Sequence, residues 1–272
     1  MHDILRAVVL GIVEGLTEFL PISSTGHMIL VEPWLGIPEK DPFWTETFNI
    51  FIQIGAILAV VIFFWQRLWR LAVHPAGASW REHILVKLFV AFLPAAVIGL
   101  LFHHFIEEHL MTPVVVACAL VVGGIAIIVI EALVRRPTVT DAGAISFWRA
   151  LAVGVAQCFS LIPGTSRSGA TIMGALMVGL SPPAAAEFSF FLAIPTMFAA
   201  GGYSLLKHLK DIQPDQFVTL GVGFVVSFIV AWLVIKAFMR FIQTHRFTSF
   251  AIYRIVLGLI VLGWYAATMK RG

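Results

Sequence analysis

Two short polar stretches contain most of the residues in this chain that could do chemistry. EGLTEFLPISSTGH at 14–27 contains two carboxylates, hydroxyls and a histidine, and PGTSRSGAT at 163–171 contains an arginine among further hydroxyls. Glu14 and Glu18 are four residues apart, so they share one face of a helix. Each ionised carboxylate near the centre of a bilayer would cost about 2.5–3.5 kcal/mol. That cost favours a functional role over a structural one, which would need a buried partner, protonation or water.

The second stretch supplies a cation and the residue types of an anion site. Arg167 stands among Ser166, Ser168, Gly169 and Thr171, directly before a new apolar run. Guanidinium binds phosphate through two N–H groups, and a Gly-containing loop at a helix N-terminus offers free backbone N–H groups. We therefore predict that these residues bind phosphate. The structural alternative, an N-cap beside an interfacial arginine, accounts for one hydroxyl but not for the whole cluster.

The first stretch adds a candidate nucleophile and a proton carrier. Ser24 is followed three residues later by His27, with Ser23 and Thr25 as further hydroxyls for phosphate contacts. A serine and a nearby imidazole can act as nucleophile and base, or as nucleophile and acid. Alone this spacing is a weak signal, since a single histidine more often serves as an interfacial hydrogen-bonding residue. Combined with the glutamates and Arg167, it predicts attack on phosphorus, with the arginine stabilising charge on the transferring group.

A further polar residue, Gln53, stands alone in an apolar run. Its amide either lines a cavity or makes a hydrogen bond to a neighbouring helix, and the sequence favours neither.

Composition places these residues in a membrane protein. The chain has 272 residues, of which 60% are hydrophobic and 12% charged, and its mean hydropathy is +0.95. No single soluble core of this size could bury so much apolar surface. The formal net charge of +3 is small, and the basic residues occur in short clusters between apolar runs. This pattern indicates membrane topology rather than nucleic-acid binding.

Six apolar runs are long enough to span a bilayer, and two other regions are interrupted. The interrupted regions, 4–36 and 149–181, are each broken near the middle by Pro, Gly and Ser/Thr. Non-helical backbone at membrane depth requires a surround of protein or water, so both are predicted to be re-entrant helix–loop–helix segments. The predicted spans are 46–65, 84–103, 113–134, 185–206, 217–239 and 250–269.

The interrupted regions are related in sequence. A shift of 143 residues aligns Glu14 with Gln157 and Ser23 with Ser166, although the prolines are out of register by one. At a shift of 140, FNIFIQIGAILA aligns with FSFFLAIPTMFA. The predicted fold is therefore an all-α polytopic membrane protein with one membrane domain. It consists of two inverted-topology repeats, about 1–136 and 146–272, each a re-entrant pair followed by three transmembrane helices.

Arginines in three loops predict the orientation. In the six-span topology these loops share one side, which the bias of basic residues makes cytoplasmic. The alternative, in which the charges only solvate the loops, fits the same topology. The arginines are Arg67, Arg70, Arg81, Arg135, Arg136, Arg149, Arg240 and Arg246.

Together the two motifs resemble those of the undecaprenyl pyrophosphate phosphatases, the bacitracin-resistance phosphatases of bacterial cell-wall synthesis. The resemblance extends over the chain length, the paired halves and FSFFLAIP. It implies a multi-pass inner-membrane enzyme that removes the terminal phosphate of a C55 isoprenyl pyrophosphate, with the active site facing the periplasm. Bacitracin would act on the same lipid, and a homodimer is compatible with the sequence. The essential positions implied are Glu14, Glu18, Ser24, His27, Ser166, Arg167 and Thr171.

The resemblance also implies that a divalent cation, Mg²⁺ or Ca²⁺, assists activity. In the expected mechanism, Ser24 or a water that it orients attacks phosphorus and His27 moves the proton. Glu14 and Glu18 would orient His27 or hold the cation.

Two other functions share some of these features. An inverted-repeat transporter or flippase would use Arg167 and the glutamates to bind an anion or anionic lipid without hydrolysis. The other membrane lipid-phosphatase superfamily also uses Ser-Gly-His and Ser-Arg elements. The chain contains no Lys-x6-Arg-Pro element, which counts against that second superfamily.

Overall fold

The computed structural model describes residues 2–38, 41–74, 79–134, 137–208 and 212–269. Eleven α-helices make up most of these ranges. Short 3-10 turns and one π-helical turn, Phe43–Phe48, connect them. The helices are α1 (His2–Thr17), α2 (Ser24–Val31), α3 (Asn49–Phe63), α4 (Trp65–Val73), α5 (Ile84–His109), α6 (Pro113–Leu133), α7 (Phe147–Gln157), α8 (Arg167–Met177), α9 (Pro182–His208), α10 (Gln216–Phe241) and α11 (Thr248–Met269).

Six helical segments are long and apolar enough to cross a membrane, which confirms the number of predicted spans. The first of them joins the π-helical turn to α3. Their boundaries agree with the predictions to within a few residues, because hydropathy and length determine both. The six segments in the described part of the chain are Phe43–Phe63, Ile84–Ile106, Pro113–Leu133, Pro182–Gly202, Gln216–Phe241 and Thr248–Ala267. The chain is therefore a multi-pass membrane protein.

Both interrupted regions consist of two helices with a break between them, as predicted. In the first, α1 ends at Thr17, Pro21 lies in the break, and α2 begins at Ser24. In the second, α7 is followed by a 3-10 turn at Cys158–Leu161, and α8 begins at Arg167. Proline has no N–H for a helical hydrogen bond, so neither segment continues as one helix through Pro21 or Pro163.

The two breaks end in the same backbone conformation. Ser23 has φ 70° and Ser166 has φ 76°, and they are the positive-φ residues other than glycine in the described ranges. Each serine is the N-cap of the next helix. The Ser23 hydroxyl accepts a hydrogen bond from the N–H of Gly26 at 3.3 Å, and the Ser166 hydroxyl accepts one from Gly169 at 3.1 Å.

The helices of one half pack against those of the other. The α1 helix lies against α10, and α7 lies against α5, so each interrupted segment contacts the second long helix after the other break. The α6 and α11 helices pack together, as do α3 and α10. Glycines permit the close crossings. A Cβ at Gly154 would lie 2.3 Å from the carbonyl oxygen of Ala91, and one at Gly15 would lie 2.8 Å from that of Ser227.

Three of the connecting segments meet at one end of the bundle. Arg67 forms ion pairs with Asp141 and, at 2.9 Å, with Glu187. The carboxylate of Glu131, near the end of α6, accepts hydrogen bonds from the N–H groups of Phe247 and Thr248 at 2.7 and 3.0 Å. The arginine-containing loops thus lie together, in agreement with the predicted topology. Arg135 and Arg136 lie outside the described residues.

The ion pair of Arg67 and Asp141 shifts the ionisation of both groups. The hydrogen bond to Asp141 raises the pKa of Arg67, against the opposing effect of burial. The same hydrogen bond lowers the pKa of Asp141 below its usual range, and the N–H of Gly143 adds to this effect. Both residues therefore remain charged at neutral pH.

Candidate active site

An ion pair joins the two helix breaks. Arg167, the first residue of α8, donates from Nη2 to Oε1 of Glu18 at 3.3 Å, and the two side chains are only 11% and 10% exposed. Its Nη1 donates to the carbonyl oxygen of Ser189 on α9 at 3.1 Å. The Phe19 ring lies 5.8 Å from the guanidinium carbon. The structure thus places Arg167 beside a glutamate of the first motif, as the sequence predicts.

The other carboxylate oxygen of Glu18 binds the candidate nucleophile. The hydroxyl of Ser24 donates to Oε2 of Glu18 at 2.5 Å, and Ser24 is buried at the start of α2. A short hydrogen bond to a charged acceptor is strong, and it aligns the serine proton for transfer to the carboxylate. One glutamate thus links the hydroxyl of the first break to the guanidinium of the second.

His27 has different partners from those expected. Its Nδ1 lies 2.7 Å from the carbonyl oxygen of Ser23, and its Nε2 lies 2.6 Å from the hydroxyl of Tyr253 on α11. Both ring nitrogens are therefore taken by groups other than the glutamates. This corrects the expectation that Glu14 and Glu18 orient His27. The backbone turn at Ser23 and a helix late in the chain orient it instead.

Several of the predicted phosphate ligands hold the two breaks in place. Ser168 donates to the carbonyl oxygen of Leu20 at 2.7 Å and lies 3.0 Å from the hydroxyl of Ser166. Thr171 donates to the carbonyl oxygen of Arg167 at 2.8 Å, and its hydroxyl lies 2.6 Å from that of Ser189. These hydroxyls are buried and already bonded, so their contribution in this arrangement is to fix the loop that carries the arginine.

The remaining predicted ligands lie at the helix starts. Thr25 is exposed in the first turn of α2. Ser23 and Gly169 take part in the cap hydrogen bonds of α2 and α8. The first residues of the two helices, Ser24 and Arg167, both contact Glu18, so the two N-termini lie near each other. The positive end of each helix dipole favours an anion at such a position.

Two buried polar atoms of the site have no hydrogen-bond partner. They are Oε1 of Glu14, whose residue is 1% exposed, and Nε of Arg167. Buried polar atoms without partners are uncommon and mark places where a ligand or water completes the hydrogen bonding. The Arg167 Nε is a free donor for a phosphate oxygen, and Glu14 is a free acceptor one turn before Glu18.

The same atoms test whether the site suits a divalent cation. Glu18 has both oxygens occupied by Ser24 and Arg167, which leaves Oε1 of Glu14 as an open carboxylate ligand. No group of three or more His, Cys, Asp or Glu residues with metal-site geometry occurs among the described residues. Mg²⁺ often takes one or two carboxylates and completes its shell with water and phosphate oxygens. The residues fit that kind of cation site, not a closed protein cage.

The side chain of Gln53 takes no part in the hydrogen-bond network of the two breaks. It is half-buried on α3, and no hydrogen bond joins it to a described residue. Asn49, one turn earlier, donates to Glu32 at 2.9 Å. The structure therefore leaves the cavity role of Gln53 as a prediction.

A second buried arginine, which the sequence interpretation missed, holds both breaks together. Arg254 on α11 is 1% exposed. It donates to the carbonyl oxygens of Pro21 at 3.2 Å, Gly164 at 3.1 Å and Ala119 at 3.1 Å. Gly169 packs against it, since a Cβ there would lie 2.9 Å from its Nη1. The available signal was a lone arginine within an apolar span, which by itself marks a functional position.

Known proteins resemble this chain along nearly its whole length. The profile of the family described as bacitracin resistance protein BacA matches residues 7–260. An undecaprenyl-diphosphatase of Rhodopseudomonas palustris is 45% identical over 262 residues, covering 96% of this chain and 97% of that protein. One of Caldanaerobacter subterraneus is 46% identical, covering 96% of each chain. Undecaprenyl-diphosphatase 1 of Chromobacterium violaceum is 48% identical, covering 97% of this chain and 98% of that protein.

Proposed function

Because the chain belongs to the bacitracin resistance protein BacA family, we propose that the two helix breaks form the active site of an undecaprenyl-diphosphatase. The enzyme hydrolyses undecaprenyl pyrophosphate to undecaprenyl phosphate and inorganic phosphate within the membrane. The observation that carries the assignment of the site is the chain of contacts from Ser24 through Glu18 to Arg167. The names of the relatives lend no support to the transporter alternative.

The diphosphate group binds between the two helix starts. The Nε of Arg167 is a buried donor without a partner, and the exposed Thr25 offers a hydroxyl and an N–H in the first turn of α2. Guanidinium suits phosphate because it presents several N–H groups in one plane. Arg167 also stabilises negative charge on the transferring phosphoryl group.

In the first step, the Ser24 hydroxyl attacks the terminal phosphorus. The proton moves to Glu18, which already accepts the hydrogen bond of Ser24 at 2.5 Å. The bond between the terminal phosphorus and the bridging oxygen breaks. Glu18 then returns the proton to the undecaprenyl phosphate that leaves. This geometry favours a serine nucleophile over direct attack by water, the other mechanism that the motifs allow.

In the second step, water hydrolyses the phosphoserine and His27 is the base. His27 and Ser24 are three residues apart on α2, so their side chains lie on one face of that helix. The Nδ1 of His27 already carries a hydrogen bonded to a carbonyl oxygen, so a proton that the ring takes up goes to Nε2. The ring gains a proton as water attacks, and the imidazolium gives a proton back to the Ser24 oxygen as inorganic phosphate forms.

A divalent cation, Mg²⁺ or Ca²⁺, fits beside Glu14. The open carboxylate oxygen of Glu14 would hold it, together with phosphate oxygens of the substrate. When bound, such a cation neutralises charge on the diphosphate. The protein residues in the two steps are the same with or without it.

The finer topology proposed here is a pair of inverted repeats with the site open to the periplasm. Two observations support the repeats. Ser23 and Ser166 cap the corresponding helices with the same positive φ, and α1 and α7 each pack against a long helix of the other half. The meeting of the arginine-containing loops at one end supports their assignment to the cytoplasm. The bilayer would then be the inner membrane. Bacitracin would act on the lipid substrate of the enzyme.

Phosphate release from a long-chain isoprenyl pyrophosphate by the purified protein in detergent tests this function. Glu18→Gln keeps the shape of the side chain but removes the proton acceptor, so we expect kcat to fall at least about a hundredfold. Arg167→Ala should cause a loss of similar size. Gln66→Ala, at an exposed position of α4, is the control and should stay within about threefold of the unaltered enzyme.

Rapid-quench turnover of a substrate labelled in the terminal phosphate separates the two nucleophiles. Label recovered on a peptide containing Ser24 supports the serine mechanism. If label never reaches Ser24 and Ser24→Ala retains a measurable rate, the attacking group is water.

A further inference from the structure

Tyr253 faces His27 in an arrangement that suits a role in the reaction. The two rings are stacked, with 2° between their planes and 5.7 Å between centroids. The Tyr253 hydroxyl lies 2.6 Å from Nε2 of His27. The contact joins residues 226 positions apart in the chain, so the packing of α11 beside the first break creates it.

The hydrogen bonds determine which nitrogen of His27 carries the proton. A carbonyl oxygen can only accept, so the 2.7 Å contact with Ser23 requires a hydrogen on Nδ1. When the ring is neutral, Nε2 then has the lone pair, and the Tyr253 hydroxyl donates to it. The tautomer is therefore fixed from both sides of the ring, and Nε2 is kept as an acceptor.

The position of Tyr253 is itself fixed by its neighbour. Arg254, the next residue on α11, donates to the carbonyl oxygens of Pro21 and Gly164. Because this arginine is bonded to both breaks, α11 cannot rotate or slide at this point without losing buried hydrogen bonds. The Tyr253 hydroxyl is thereby held at a constant distance from the helix that carries Ser24 and His27.

From these contacts we infer that Tyr253 is a catalytic residue of the phosphatase, which relays the proton of the attacking water to His27. The lone pair of Nε2 already accepts the Tyr253 hydrogen, so as water attacks, its proton passes to the Tyr253 oxygen while the Tyr253 proton moves to Nε2. The inference rests on the proposed function, in which His27 acts as the base toward water. Tyr253 does not touch Ser24 or Glu18 through any hydrogen bond in the described chain, so it acts on the second step only.

Tyr253→Phe isolates the hydroxyl, since phenylalanine keeps the stacked ring. A general base contributes about 10²–10⁴-fold, and losing the hydroxyl that relays the proton to it should remove part of that. We expect kcat to fall about ten- to hundredfold with KM within about twofold, and labelled phosphate to accumulate on Ser24. Tyr265→Phe, three turns along the same helix, is the matched control and should leave kcat within about twofold.

A double-mutant cycle separates a proton relay through His27 from a general structural effect. If Tyr253 acts through His27, Tyr253→Phe should cost nothing further in a His27→Asn background. A loss of the same size in both backgrounds, or Tyr253→Phe with kcat within about twofold of the unaltered enzyme while His27→Asn is strongly impaired, would overturn the inference. Full activity of His27→Asn would instead refute the role given to His27 in the proposed function, and the role of Tyr253 with it.

Discussion

At the scale of single residues, Ser23 and Ser166 show how the site is built. Both hold a left-handed backbone conformation at the end of a helix break, and both cap the helix that follows. For an L-residue with a Cβ this conformation costs roughly 1–2 kcal/mol. The cap hydrogen bonds offset part of that cost, since an N-cap serine stabilises a helix by about 0.5–2 kcal/mol. The positive φ at each serine sets the direction in which the next helix begins.

Substitution of Ser166 should distinguish strain from capping. Ser166→Ala keeps the strained conformation and loses the cap, so we expect it to lower stability by about 1 kcal/mol. Ser166→Gly loses the same hydrogen bond but relieves the strain, and should therefore be the more stable of the two. Thermal unfolding in detergent measures both. A glycine variant that is less stable than the alanine variant would show that the positive φ is not strained here.

The sequence indicates that residues of the two motifs lie together, but not which contacts they make. Buried carboxylates require a partner, and the cost of burying charge made Arg167 the evident candidate. The partner of Ser24 and the partners of His27 depend on the backbone turn at Ser23, which no spacing rule provides. Arg254 was missed because a single arginine in an apolar span does not reveal which neighbours it faces.

At the scale of helices, glycines let α1 and α7, the first helices of the two interrupted regions, pack closely against the long helices α10 and α5. A Cβ at Gly15 on α1 would meet the carbonyl oxygen of Ser227 at 2.8 Å and the Cβ of Val230 at 2.8 Å. On α7, which precedes the second break, a Cβ at Gly154 would lie even closer to the backbone of Ala91. These crossings place the ends of α1 and α7, and hence both breaks, within reach of each other.

Gly15→Ala should disturb the crossing of α1 and α10. Alanine is the better helix former by about 1 kcal/mol, but here its methyl group would force two backbones apart, so we expect lower thermal stability and lower activity. Gly221→Ala on α10 is the matched control, because nothing lies within 4 Å of a Cβ there. Its stability should equal or exceed that of the unaltered protein. Equal stability of both variants would contradict the tight crossing.

The predicted helices agree with the observed ones because hydropathy alone decides a span. The breaks were also predictable, since Pro21 and Pro163 interrupt otherwise apolar helices. The packing partners were not, because small residues at a crossing are indistinguishable in sequence from small residues facing lipid. Gly15 and Gly221 illustrate the point, since both stand in apolar helices and only one of them lies at a crossing.

At the scale of the whole molecule, ion pairs close the end of the bundle that carries the arginine-containing loops. Arg67 follows α3, Asp141 precedes α7, and Glu187 lies early in α9. The three residues come from segments on either side of the second break. Their side chains are partly exposed, so each pair contributes about 0.2–1 kcal/mol after screening by solvent.

Asp141 makes this contribution dependent on pH. Its pKa is lowered in the folded protein, so the pair stabilises the fold above the unfolded pKa, about 3.9, and the effect is lost as the pH falls through the folded value. Asp141→Asn should therefore lower the unfolding temperature more at pH 7 than at pH 3, which lies below the unfolded pKa, where the contribution of the pair declines. Asp215→Asn, whose side chain makes no cap hydrogen bond, is the control. A deficit of Asp141→Asn that persists unchanged at pH 3 would exclude the ionic origin.

The position of Arg254 in the chain has a consequence for biosynthesis. A nascent chain that has been synthesised as far as α9 already contains Glu18, Ser24, His27 and Arg167, yet the residue that ties their two loops together is still to come. Insertion of α11 supplies Arg254 and Tyr253 together. A partial chain that ends before α11 would therefore carry the candidate reactive groups without the contacts that join the two breaks.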